Sequence, residues 1–152
     1  MLDDCWSAGR DEEGFLKEDL DKFPSGMSNV ADEIHKKGLL FGMYSSAGEM
    51  TCARYGKSFS RSHFWFFTDW NASAGSLDWE ENDAKSFANW GADYLKYDNC
   101  YHMGRFGTPK ISFDRYKVMW DAINATGRPM LYSLCNWGED YTHTVSTNPE
   151  YY

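Results

Sequence analysis

The chain has 152 residues, enough for one folding unit with a core, and its excess of Asp and Glu gives a formal net charge of −8. That charge disfavours phosphate backbones and anionic membrane surfaces, so neither nucleic acid nor a membrane is an expected partner. No run approaches the length of a membrane span, and the start, MLDDCWSAGRDEEG, lacks the basic and apolar regions of a signal peptide. In chain order, MLDDCW reads as the end of a strand. In SGMSNVADEIHKKGLLFGMY, Val30, Ala31 and Ile34 mark one helical face, Gly38 is a stop, and 39–44 is an apolar strand. DWEENDAKSFANWGADYLKYD repeats the unit, with Asp78 as N-cap, Ala84, Phe87 and Ala88 inward, Gly91 as the stop and a strand over 93–98. A third helix runs from Ser112 through Tyr116, Met119, Trp120 and Ile123 to Gly127, followed by a strand over 130–134.

Alternating helices and apolar strands predict parallel β/α units, as in a barrel or a doubly wound sheet. Polar, reactive residues follow each strand: Asp3 and Asp4, then Tyr44 with SSAGEMTC, then Asp98 with NC, then Cys135 with NWGED. Function at the carboxyl ends of successive strands is the barrel pattern, and the glycine-rich phosphate loop of a Rossmann fold is absent. Strand alternation puts Lys96 and Asp98 on one face and Leu95 and Tyr97 on the other. Taken alone, Asp98 reads first as a strand-end carboxylate paired with Lys96, and Asp3 and Asp4 as a turn or a cap. The four cysteines, Cys5, Cys52, Cys100 and Cys135, contain no CxxC pair, so structural or disulfide roles are expected ahead of zinc. Ten Tyr, ten Phe and seven Trp suit a core, and also sugar binding, where rings stack on apolar sugar faces and carboxylates take hydroxyls.

Five stretches, LDDCW, GRDEEGFLKEDLDKFPSGM, IHKKGLLFGMYSSAGEMTCARY, AGSLDWEENDAKSFANWGADYLKYDNCY and NATGRPMLYSLCNWGED, together resemble glycoside hydrolase family 27, the α-galactosidases (melibiases). They cover most of the chain in the family's order. The resemblance implies an α/β fold, a partial (β/α)8 TIM barrel of about strands 2 to 5, with 1–152 a fragment of the catalytic domain. It implies that Asp98 is the nucleophile, Lys96 the pocket lysine, Asp3 and Asp4 the pair holding galactose hydroxyls, and Tyr44 a pocket-lining residue. Cys52 and Cys100 match half-cystines that pair beside the nucleophile, and Cys135 and Trp137 match residues near the sugar's 2-position. The implied reaction is retaining hydrolysis of terminal α-galactosides in oligosaccharides, with no metal or organic cofactor. In such a reaction one carboxylate attacks the anomeric carbon, and a second carboxyl, roughly 5 to 5.5 Å away, protonates the leaving oxygen. Lys96 beside Asp98 is expected to favour the ionised nucleophile. The family's acid/base Asp lies on a later strand, so this chain is expected to be inactive by itself.

Two features depart from the family. GKSFSRSHFWFFTDWNAS, residues 56–73, interrupts the join of CARY to AGSL, and its aromatics Phe59, Phe64, Trp65, Phe66, Phe67 and Trp70 follow no element's period. Removing these 18 residues brings the first strand spacing from 54 to 36, close to the next spacing of 37. Gly56-Lys57-Ser58 can encode a GTAAGT splice donor and Ser73-Ala74 a CAG acceptor, so a translated intron is expected ahead of a surface loop. The family likeness also stops near 144, leaving 145–152 as a non-family tail. The resemblance implies secretion of a full-length parent, in which Asn124 of the Asn124-Ala125-Thr126 sequon is a glycosylation site; Asn71, inside the interruption, is the weaker sequon. Rival readings are an α-N-acetylgalactosaminidase of the same family, a galactose-binding fragment without catalysis, and a fragment with no stable fold.

Overall fold

A helix leading into a parallel strand recurs three times in the computed structural model, which describes residues 1–53 and 74–141. The interruption at 56–73, the Asn71 sequon and the tail at 145–152 therefore lie outside the described residues. Strands β1 (Ser7–Arg10) and β2 (Leu16–Glu18) form an antiparallel hairpin that pattern reading missed. Its turn is held by the Asp11 carboxylate, which accepts from the Glu13 and Phe15 amides at 3.1 and 2.7 Å. Helix α1 (Met27–His35) has no cap from its own N-cap residue; instead Glu18 of β2 accepts from the Met27 amide at 3.2 Å. Met27 and Ala31 are buried and Val30 and Ile34 pack beside them, which is the predicted face.

Strand β3 (Gly42–Ser46) starts three residues later than the predicted 39–44. The Leu39 amide is used to close α1, bonding the Ile34 carbonyl at 3.3 Å, so Leu39 cannot join the ladder. Leu39 and Leu40 stay 61% and 77% exposed. Helix α2 (Glu80–Asn89) is followed by β4 (Tyr94–Asp98), and α3 (Pro109–Ala125) by β5 (Leu131–Cys135). Asp78 is not the N-cap of α2: its φ is 66°, its carboxylate bonds Arg105 at 2.9 Å, and Trp79 takes the cap position. Acidic residues Glu80, Glu81 and Asp83 in the first turn oppose the helix dipole and support that end. Helix α3 begins three residues before Ser112, because Thr108 accepts from the Ile111 amide at 3.2 Å and Pro109 sits at the first position. Trp120 is 44% exposed and stacks on Tyr132.

Among the described residues, strands β3, β4 and β5 form one parallel sheet in that order, open rather than closed into a barrel. Met43, Leu95 and Tyr97 point to the helix side, where they meet Phe87, Met119 and Ile123 in one core. Each fully buried side chain of this size contributes roughly 1.5 to 3 kcal/mol. The Trp6 ring completes this core against Phe87 and Trp90, and its indole N–H donates to the Tyr44 carbonyl at 3.0 Å. That bond ties the amino-terminal segment to the sheet, and so brings Asp3 and Asp4 to the ends of the strands. No described helix is long and apolar enough to cross a membrane.

Candidate functional site

The parallel register sets side chains in rows. Tyr44, Lys96 and Ser133 share one row, and Ser46, Asp98 and Cys135 share the next, at the carboxyl end of the sheet. All six alternate positions face away from the helix-side core, as the spacing of Lys96 and Asp98 predicts. Asp98 is 6% exposed. Its Oδ1 accepts from the Asn99 amide at 2.9 Å and its Oδ2 from the Tyr44 hydroxyl at 3.3 Å. Burial pushes the Tyr44 hydroxyl well above its ordinary pKa, reinforced by the Asp98 and Asp4 carboxylates, so at neutral pH it is a donor.

Lys96 does not pair with Asp98 as expected. Its ammonium bonds Asp3 at 3.0 Å and lies 5.1 Å from the centre of the Tyr44 ring. Burial pulls the Lys96 pKa down, but the hydrogen bond and charge of Asp3, followed by the charge of Asp98, raise it overall. The reason for the partner is the register: Lys96 sits one row below Asp98, opposite the segment carrying Asp3. Asp4 is held more fully. Its Oδ1 accepts from the Thr51 hydroxyl at 2.7 Å and the Cys5 amide at 2.8 Å, and its Oδ2 from the Ala53 amide at 2.7 Å. On the far side of Asp98, burial pushes the Cys135 thiol up, and the neighbouring Asp98 carboxylate adds to the push. The Trp137 side chain lowers it by a smaller amount, and 61% of Trp137 is exposed. The structure thus brings Asp3, Asp4, Tyr44, Lys96, Asp98, Cys135 and Trp137 into one group. Asn124 stands apart, exposed in the last turn of α3.

Cys52 and Cys100 form a disulfide, while Cys5 and Cys135 are free thiols. The Asp98 carboxylate lies within 4.8 Å of both disulfide sulfurs, but oxidation removes the two thiolates that a metal would need there. Gly48 lets the β3 loop lie against β4: a Cβ there would come 1.8 Å from the Cys100 carbonyl oxygen. Behind Asp98, Arg115 of α3 donates to the Ala47 carbonyl at 3.0 Å and to Asn99 Oδ1 at 2.6 Å. Asn99 in turn donates to the Asn136 carbonyl at 3.2 Å and to Glu139 at 2.7 Å. This network joins the ends of β3, β4 and β5, and sequence reading missed it. A signal was present, since Arg115 falls on the same 3.6-residue stripe as Ser112, Tyr116 and Met119.

The family model described as alpha galactosidase A (Melibiase_2) matches residues 1–74 and 67–152. The chain is 58% identical over 142 residues to alpha-galactosidase 1 of Saccharomyces cerevisiae, a match covering 93% of this chain and 26% of that protein. It superposes on a solved α-galactosidase from Saccharomyces cerevisiae with a TM-score of 0.82 at 56% identity, covering 95% of this chain and 28% of the other. A structure of α-galactosidase from the same yeast with raffinose gives a TM-score of 0.81 at 56% identity, over 94% of this chain and 28% of that one. The chain therefore spans about a quarter of the length of these relatives. Across that span, it belongs to the alpha galactosidase A family of glycoside hydrolases.

Proposed function

We propose that residues 1–152 form the galactose-recognising, nucleophile-bearing part of a retaining exo-α-galactosidase. The observation that carries this reading is the placement of Asp98: a buried carboxylate at a strand end, fixed by the Asn99 amide and the Tyr44 hydroxyl beside the Asp3, Asp4 and Lys96 group. In the reaction, an oxygen of Asp98 attacks the anomeric carbon and the glycosidic oxygen leaves with a proton from a second carboxyl. Water then cleaves the galactosyl ester, with that second group acting as base. Asp3, Asp4 and Lys96 take sugar hydroxyls through charged hydrogen bonds, and the exposed Trp137 ring offers a platform for an apolar sugar face. Cys135 and Trp137 crowd the side of Asp98 assigned to the sugar's 2-position, which favours galactose over an N-acetylated sugar. The yeast structure with raffinose, a trisaccharide ending in α-galactose, supports terminal α-galactosides as the substrate class. The Cys52–Cys100 disulfide fits a secreted parent, since oxidising compartments preserve such bonds.

The acid/base carboxyl of this family comes from a later strand than β5, so the polypeptide 1–152 binds galactose without cleaving galactosides. The test is hydrolysis of p-nitrophenyl α-galactoside by the purified chain, with thermal melts in galactose. No turnover and a melting temperature that rises with galactose are expected. Turnover that disappears in Asp98→Asn would refute the claim of inactivity, and a melt indifferent to galactose would refute recognition.

A further inference from the structure

The loop after β3 supplies three consecutive donors to the site. The Thr51 hydroxyl reaches Asp4 Oδ1 at 2.7 Å, the Cys52 amide reaches the Tyr44 hydroxyl at 3.3 Å, and the Ala53 amide reaches Asp4 Oδ2 at 2.7 Å. Tyr44 passes its own proton toward Asp98, so one loop touches both the sugar-holding carboxylate and the nucleophile. Thr51 is 4% exposed, and a hydroxyl that deeply placed is kept only where it has a partner. Its partner is the Asp4 carboxylate. The loop itself is secured by other means: the Cys52–Cys100 disulfide, the Ala47 amide on the Asp98 carbonyl at 2.8 Å and the Glu49 amide on the Tyr101 carbonyl at 3.1 Å. Deleting the Thr51 hydroxyl therefore leaves the loop anchored and removes one of the two donors on Asp4 Oδ1, the Cys5 amide remaining.

We infer that Thr51 is a positioning residue for sugar recognition, its hydroxyl fixing the Asp4 carboxylate together with the Cys5 and Ala53 amides so that the remaining lone pair on Oδ2 is presented to a galactose hydroxyl. The inference rests on the galactose-binding reading above. A carboxylate already oriented loses no rotational freedom when the sugar arrives, which is the benefit of preorganisation. A hydrogen bond to a charged group is worth enough that losing this one should weaken galactose binding about tenfold.

The experiment compares galactose affinity of the full chain, by titration calorimetry, in wild type, Thr51→Val and Thr51→Ser, with unliganded melts beside it. The expected result is a cooperative melt for all three, about tenfold weaker binding for Thr51→Val, and near-wild-type binding for Thr51→Ser, which keeps the hydroxyl. Unchanged affinity in Thr51→Val overturns the inference while the galactose reading stands. So does a Thr51→Ser variant as weak as Thr51→Val, because the hydroxyl is then not the active feature. A Thr51→Val chain without a cooperative melt also overturns it, since Thr51 is then a stability residue. A wild-type chain that does not bind galactose overturns the galactose reading, and the inference with it.

Discussion

Replacing Arg10 by Met should destabilise the fold by about 3–5 kcal/mol, the usual effect of removing one partner from a buried ion pair. Asp83, in the first turn of α2, has no exposed surface, and the Arg10 side chain is 15% exposed. The guanidinium bonds both Asp83 oxygens, the Gly14 carbonyl at 2.9 Å and the Gly75 carbonyl at 2.7 Å, and lies 5.0 Å from the centre of a Trp79 ring. Methionine keeps the aliphatic bulk and loses every donor, which leaves a buried carboxylate without its charge partner. Burial already pushes the Asp83 carboxyl upward, and the Arg10 fork opposes that push. The loss in Arg10→Met should therefore be largest near neutral pH and shrink in acid, where protonation removes the stranded charge. Urea unfolding followed by circular dichroism at pH 7 and pH 5 measures it, with the slope checked for constancy. The double variant Arg10→Met/Asp83→Leu should lose less than the single one, because no charge is then buried alone. A single variant within about 1 kcal/mol of wild type, or a double variant worse than the single, would refute the reasoning. The consequence reaches the site, because Gly75 and Leu77 donate to the Glu49 and Gly48 carbonyls and so brace the loop that carries Thr51 and Cys52.

Three further outcomes are expected. Gly48→Ala should prevent the Cys52–Cys100 disulfide, since the new Cβ would sit 1.8 Å from one backbone atom and 2.6 Å from another; a thiol assay under denaturing conditions should then count four thiols, where wild type gives two. Asp93 should make part of the fold acid-sensitive. Burial raises its pKa, but the Phe41 amide, His35 and Arg128 lower it overall, so its contribution is complete above about pH 4 and is lost as pH falls through the lower folded value. In melts from pH 6 to pH 2, Asp93→Asn should be less stable than wild type at the upper end and converge with it at the lower; a gap that persists at pH 2 would count against this. Finally, cDNA across codons 50–80 should lack codons 56–73, and a transcript that retains all eighteen would return the segment to a loop of this homologue.

Helices and strands were legible wherever a repeating apolar period met a glycine stop, as at Gly38, Gly91 and Gly127. The errors came where a polar group that the pattern assigns to one element bonds elsewhere. Leu39 reads as strand until its amide is seen closing α1, and Asp78 reads as a cap until Arg105, 27 residues on, takes its carboxylate. The hairpin over β1 and β2 is too short for a period of two to register, and its turn depends on Asp11 bonds that composition only hints at. The candidate site was legible as a set of residues because Tyr44, Lys96, Asp98 and Cys135 sit toward the carboxyl ends of β3, β4 and β5. Its internal pairing was not, since Thr51 on Asp4 and Lys96 on Asp3 are contacts across 47 and 93 positions.

The pairing of Lys96 shows what sequence proximity concealed. Two positions along a strand separate side chains by about 6.6 Å, so a lysine at that spacing need not reach the carboxylate above it. Lys96 instead neutralises Asp3, and Asp98 is held by two neutral donors, the Asn99 amide and the Tyr44 hydroxyl. For the proposed reaction this division has a consequence. A nucleophile locked in an ion pair must give up that pair as its charge passes into the new bond, and the lost attraction adds to the barrier. A nucleophile oriented by neutral donors gives up less, while the ion pair is kept on Asp3, whose charge does not change in the proposed reaction. On that reading the site places its ion pair on Asp3, proposed to bind, and only neutral donors on Asp98, proposed to react.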